Sequence, residues 1–168
     1  MPSTLLYNKW GNVNEFKLNC AAISDGRGTK IMIGAIIRDS MGEVMACCSQ
    51  TVMANYPTKI ATLVAIQKGL QFGTECGLIP DVVEVNEAEV VKWINNDLHR
   101  DSEVGSILLD IKKQIEGRKR MKFRQIAGSA NKVAHVLANY SLNSMEDVFW
   151  MEEFPDCIGS LIQADRPR

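Results

Sequence analysis

The chain reads as an α/β protein built on a mixed sheet with helices on both faces, and three features of its pattern carry that expectation. The first third alternates with the two-residue period of strands. A long segment after Pro57 switches to helical spacing, and short strand-like runs then alternate with amphipathic helices. At 168 residues and 46% hydrophobic content, the length suits one domain over 1–168 that can bury a sizeable core.

The elements follow in order. Phe16 to Ile23 alternates as a strand, SDGRGT is a turn, and KIMIGAIIRD, from Lys30 to Asp39, has the isoleucine content of a buried strand. Asp39 to Gly42 makes a second turn before EVMACCSQTVM, Glu43 to Met53, so the segment predicts a three-stranded antiparallel meander with no room for a crossover helix. Beyond Pro57, with Thr58 as N-cap, Ile60, Leu63, Val64, Ile66, Leu70 and Phe72 recur at mostly helical spacing, and Gly73 and Gly77 offer exits. Asp81 to Asn86 predicts a short strand. EAEVVKWINN and VGSILLDIKKQIEG predict helices, MKFRQI a strand, and ANKVAHVLANYSL a last helix. The core spans about 10–143, and the aromatics of the tail, 144–168, are expected to pack back on it.

Charge and cysteine content exclude several classes. With a formal net charge of −1, no global field recruits nucleic acid or anionic lipid, so electrostatic binding must come from local patches. The five cysteines, Cys20, Cys47, Cys48, Cys76 and Cys157, include no C-x-x-C pair and predict reduced thiols, mostly small core residues. No apolar run is long enough for a signal sequence or a membrane span, which predicts a soluble intracellular protein of nucleus or cytoplasm with no membrane partner.

Six segments, WGNVNEFKLNCAA, GAIIRDSMGEV, IATLVAIQKGLQFGTECG, VVEVNEAEVVKWIN, FRQIAGSANKVAHVLA and FWMEEFPDCIGSLI, occur in the order and spacing of the plant RNase H-like domain, a retroelement-related family. The resemblance covers about Trp10 to Asp165. It implies an RNase H-like fold whose five-stranded mixed sheet joins the meander to two parallel strands, flanked by helices.

Active members of the RNase H superfamily cleave the RNA of an RNA–DNA hybrid with two divalent ions held by carboxylates. The resemblance carries those positions onto Ala21, Thr62, Asn86 and His135, none of which is a carboxylate. Alanine offers no ligand, threonine and asparagine offer neutral oxygens, and imidazole suits zinc or copper better than magnesium. The expectation is a degenerate site with no catalytic residue, no metal and no cofactor; Mg²⁺ would be required only if a nuclease with unusual ligands survived. The nearby acids fit local backbone roles. Asp25 sits in ordinary turn chemistry, and Asn86 with Glu89 has the spacing of a capping box, which also accounts for Glu87 at a helix start. His135 shares a helix face with Asn131 and Asn139 as a half-exposed polar residue, and His99 falls in the polar loop NNDLHRDSE.

The functional signal that remains is basic. Lys112, Lys113, Arg118, Lys119, Arg120, Lys122 and Arg124 crowd a helix end, a turn and a strand, and with Asn131 they form the candidate nucleic-acid contact set. GRKRMK also resembles a nuclear-import stretch, while a solvated helix C-terminus explains part of the same cluster. Phe123 reads as core rather than as a base-stacking residue.

The favoured reading is an inactive RNase H-fold protein, a pseudo-ribonuclease H, that binds RNA, DNA, their hybrid or a protein. The alternatives are a residual hybrid nuclease, and an interaction scaffold that pairs with itself or a partner through strand 43–53 as the sheet edge.

Overall fold

The structure, a computed structural model, describes residues 15–96, 102–117, 121–142 and 146–165. The meander comprises β1 (Lys17–Ser24), β2 (Ile31–Arg38) and β3 (Val44–Val52), paired antiparallel. Its first turn closes because the Asp25 carboxylate accepts the backbone N–H of Arg27 and the hydroxyl of Thr29. Asp39 closes the second by accepting the N–H groups of Met41 and Glu43, both at 2.9 Å.

Helix α1 (Thr58–Glu75) starts one residue earlier than the cap expectation. Pro57, with φ −57° and ψ 156°, is the flanking residue, so Thr58 lies inside the first turn and caps nothing with its side chain. Of the two proposed exits, Gly77 takes the left-handed conformation at φ 72°. Gly73 instead serves packing, since a Cβ there would sit 2.7 Å from the Leu78 carbonyl oxygen.

Strand β4 (Val82–Val85) lies parallel to β1, and β5 (Lys122–Gln125) lies parallel to β4. Between them run α2 (Ala88–Asn96) and α3 (Ser102–Ile115). A short 3₁₀ turn, Gly128–Asn131, leads into α4 (Lys132–Tyr140). The tail adds β6 (Val148–Met151) and α5 (Gly159–Asp165).

The sheet order is β5-β4-β1-β2-β3-β6. The α/β class and the meander-plus-parallel arrangement stand as expected, with one strand more than five. That sixth strand corrects the assignment of 43–53 as an edge. Residues Ala46 to Ser49 of β3 pair antiparallel with Val148 to Met151, so the tail takes up the backbone groups that an edge would expose.

Two apolar layers cover the sheet. Leu18, Cys20, Ile33 and Ile37 face α1, α2 and α3 across the larger core. Ile36 and Cys47 face α4, α5 and their flanks in a smaller one that includes Leu137, Ile158 and Ile162. Helix α4 lies against β2 so closely that a Cβ on Gly34 would fall 2.0 Å from the Ala134 carbonyl oxygen and 2.4 Å from the Ala138 nitrogen. Only glycine permits that approach. It sets the height of α4 over Ala21, which is paired with Gly34 in the register of β1 and β2.

Candidate functional site

The two-residue period of β1 brings Lys17, Asn19 and Ala21 to the face that α4 covers, and the parallel register sets Asn19 beside Glu84 of β4. The turn before α4 delivers Asn131 onto the same face, 1% exposed. The Asn131 amide nitrogen donates to the Cys20 carbonyl at 2.8 Å and to Asn86 Oδ1 at 3.1 Å. Its own oxygen accepts from Asn19 Nδ2 at 3.2 Å. Asn131, expected among the nucleic-acid contacts, is buried and ties β1, the end of β4 and α4 together.

His135 lies one turn further along α4, its Nε2 3.1 Å from Asn86 Oδ1. An amide oxygen only accepts, so Nε2 carries the proton. Burial lowers the His135 pKa from its usual value, which keeps the ring neutral at pH 7. Asn19 continues the chain of bonds on the other side: Nδ2 also donates to Glu84 Oε1 at 3.3 Å, and Oδ1 accepts from Arg38 Nη2 at 3.4 Å. Glu84 is held between Lys17 at 3.5 Å and Arg124 at 3.8 Å.

The four positions carried over by resemblance therefore fare differently. Asn86 and His135 touch. Ala21, 1% exposed, lies beside the Cys20 carbonyl that Asn131 binds, closed off from solvent. Thr62 donates its hydroxyl to the Thr58 carbonyl of its own helix at 2.9 Å and is likewise buried.

Magnesium requires oxygen ligands with free lone pairs, and dication pairs require carboxylates. Here Asn86 Oδ1 already accepts two donors, Ala21 has none to give, and no group of three or more His, Cys, Asp or Glu among the described residues is placed to hold a metal. The donor set does not fit two magnesium ions. Asp25 remains in its turn, where the Thr29 hydroxyl, ahead of the backbone N–H groups, holds its carboxyl down at about 2. Asn86 turns its oxygen into the network and Glu89 reaches Lys59 at 2.8 Å, so both side chains have roles beyond the capping box expected of them.

The basic set divides. Lys112 and Lys113 lie in the last turn of α3, on the side of the larger core. Lys122 and Arg124 flank buried Phe123 on β5 and so point toward the opposite, α4 side. Arg118, Lys119 and Arg120, with His99, lie outside the described residues. Asn19, Glu84, Arg38 and Asp165 were not anticipated. A polar residue in an otherwise apolar strand run, as in KLNCAAIS and VVEV, is the one local sign of the first two.

The sequence between residues 20 and 141 matches the family model described as reverse transcriptase-like. No curated protein matches the chain by sequence. Among solved structures, RNase H1 of the halophilic archaeon Halobacterium salinarum NRC-1 superposes with a TM-score of 0.66 at 16% identity, over 77% of this chain and 98% of that one. The N-terminal RNase H domain of a Mycobacterium tuberculosis protein gives 0.67 at 15%, over 79% and 96%. LC11-RNase H1, isolated from compost and solved with an RNA/DNA hybrid, gives 0.68 at 16%, over 77% and 97%. At these identities the structures establish the fold and the sequence model establishes the lineage: the chain has the RNase H fold and belongs to the reverse transcriptase-like family.

Proposed function

We propose that this protein is an RNase H-fold module that binds nucleic acid and does not cleave it. One observation carries the reading. The place where the resemblance puts a carboxylate cradle holds a neutral, internally satisfied network, in which Asn131 and His135 both donate to Asn86 beside a buried Ala21. Removing anionic oxygens abolishes dication affinity and also removes the repulsion that a phosphate backbone would meet. The nucleic-acid class rests on the family and on the hybrid-bound relative LC11-RNase H1, and the exposed Lys122 and Arg124 on β5 supply local positive charge. The descent from a plant lineage that the six motifs suggest, and residence in nucleus or cytoplasm, belong to the same proposal.

The test is a labelled RNA–DNA hybrid incubated with the full chain in Mg²⁺ and in Mn²⁺, beside a binding measurement in EDTA. The expected result is no cleavage with either ion, and binding that survives EDTA and weakens steeply with salt. Metal-dependent cleavage by purified protein would refute the reading.

A protein partner is the second reading, and one observation favours it. Strand β6 lies at the end of the sheet with Phe149 52% and Met151 51% exposed. Binding that ignores salt, lost on Phe149→Ser, would favour this reading over the first.

A further inference from the structure

A cavity of ≈ 410 Å³ opens on the α4 side of the sheet, at the end of β1 away from Ala21. Its polar wall includes Lys17, Asn19, Arg38, Glu84, Arg124 and Asp165, and Val82 and Ile126 supply apolar surface. The size and the mixture of a few convergent polar groups with apolar surface are those of a small-molecule site.

Arg38 is the pivot. Its side chain is only 12% exposed, one nitrogen is anchored on Asn19 Oδ1, and another reaches Asp165 Oδ2 at 3.2 Å. Asp165 is 44% exposed and comes from the end of a seven-residue helix. A half-buried guanidinium held at two nitrogens is therefore met by a carboxylate on the last turn of the described chain. On the far wall Lys17 and Arg124 share the single carboxylate of Glu84, which leaves these three groups with a net positive charge. The acids Glu15 and Asp39 also line the cavity, and Asp39 is engaged with the N–H groups of Met41 and Glu43. An added anion would face those acids, so a ligand's anion gains only by taking the place of Asp165.

We propose that this cavity binds a small organic phosphate, whose phosphoryl group replaces the Asp165 carboxylate on Arg38 within reach of Lys17 and Arg124, while its apolar part lies on Val82 and Ile126. Asp165 then serves as a resident stand-in for the ligand. The proposal shares Arg124 with the nucleic-acid reading but does not depend on it, because its pivot, Arg38 with Asp165, is no part of that reading.

The experiment is calorimetric titration of the full chain with adenosine 5′-monophosphate and with adenosine. Saturable binding of the phosphate, absent for the nucleoside, is expected. Asp165→Asn should tighten it about two- to fivefold, the range of a half-exposed ion pair. Arg38→Gln should weaken it about tenfold or more, as for a lost charged hydrogen bond. If Arg38→Gln fails to fold by circular dichroism, Asp165→Asn decides alone. No binding by the wild-type chain, equal binding of phosphate and nucleoside, or an unchanged affinity in Asp165→Asn would overturn the proposal. So would an RNA–DNA hybrid that responds to Asp165→Asn while the mononucleotide does not, since the anion would then belong to a polymer backbone.

Discussion

Replacing Asn86 by aspartate should shift His135 toward its cationic form. The substitution is nearly isosteric and keeps an acceptor in place for both Asn131 and His135, so the fold loses no hydrogen bond that the structure shows at this oxygen. What changes is charge. At the 3.1 Å between His135 Nε2 and position 86, opposite unit charges attract by about 1.3 kcal/mol at the dielectric of water and about 5 kcal/mol at an effective value near 20. One pKa unit corresponds to about 1.4 kcal/mol, so those limits bracket about 1 to 4 units, and a half-buried ring belongs in the lower part, about 1 to 3. In the native protein burial alone pushes the His135 pKa below its usual value. In Asn86→Asp it should rise, because the new carboxylate favours the protonated ring. The assay is a pH titration of the His135 ring resonances by NMR, assigned with His135→Gln. A shift under half a unit would show that the two side chains do not meet, and the neutral network described for this site would then be wrong.

Other expectations follow from the same geometry. Gly34→Ala must push α4 outward against backbone atoms of Ala134 and Ala138, and overpacking of this kind costs about 1–3 kcal/mol, or roughly 2–12 °C in melting temperature for a chain of this size; a melting curve unchanged within a degree would contradict the close contact. Because the folded-state pKa of His135 is depressed, the unfolded chain binds the extra proton, so its share of stability is present above about pH 6.5 and declines as pH falls through the folded value. Denaturant melts at pH 7.5 and pH 5.5 should show that loss, and His135→Gln should reduce it. Thiol labelling should find exposed Cys157 first, with Cys47 and Cys48 slow, because burial pushes both up to about 12. Rapid modification of Cys48 in native protein would place β3 at a surface. Deleting the tail from residue 146 would uncover the Ala46 to Ser49 backbone, so aggregation measured by light scattering should increase.

Much of this architecture is written in local pattern. Period-two runs around Asp25 and Asp39 specify the meander, because each aspartate closes its own turn with neighbours two to four residues away. A period-3.6 run specifies α4, and the lack of an acid at Ala21, Thr62, Asn86 and His135 is visible by inspection once the resemblance supplies the positions. Tertiary structure decided the rest. The tail became a strand on β3 because an unpaired edge and the VFWM run satisfy each other, and nothing within either segment announces the other. The site itself joins residues 45 to 112 positions apart: Asn19 finds Glu84 and Asn131, and Asn131 finds Asn86. Side-chain amides are individually ordinary on a strand or turn. Only the parallel register of β1 and β4, and the glycine that lets α4 settle over β2, bring them within bonding distance and remove the water that would otherwise satisfy them.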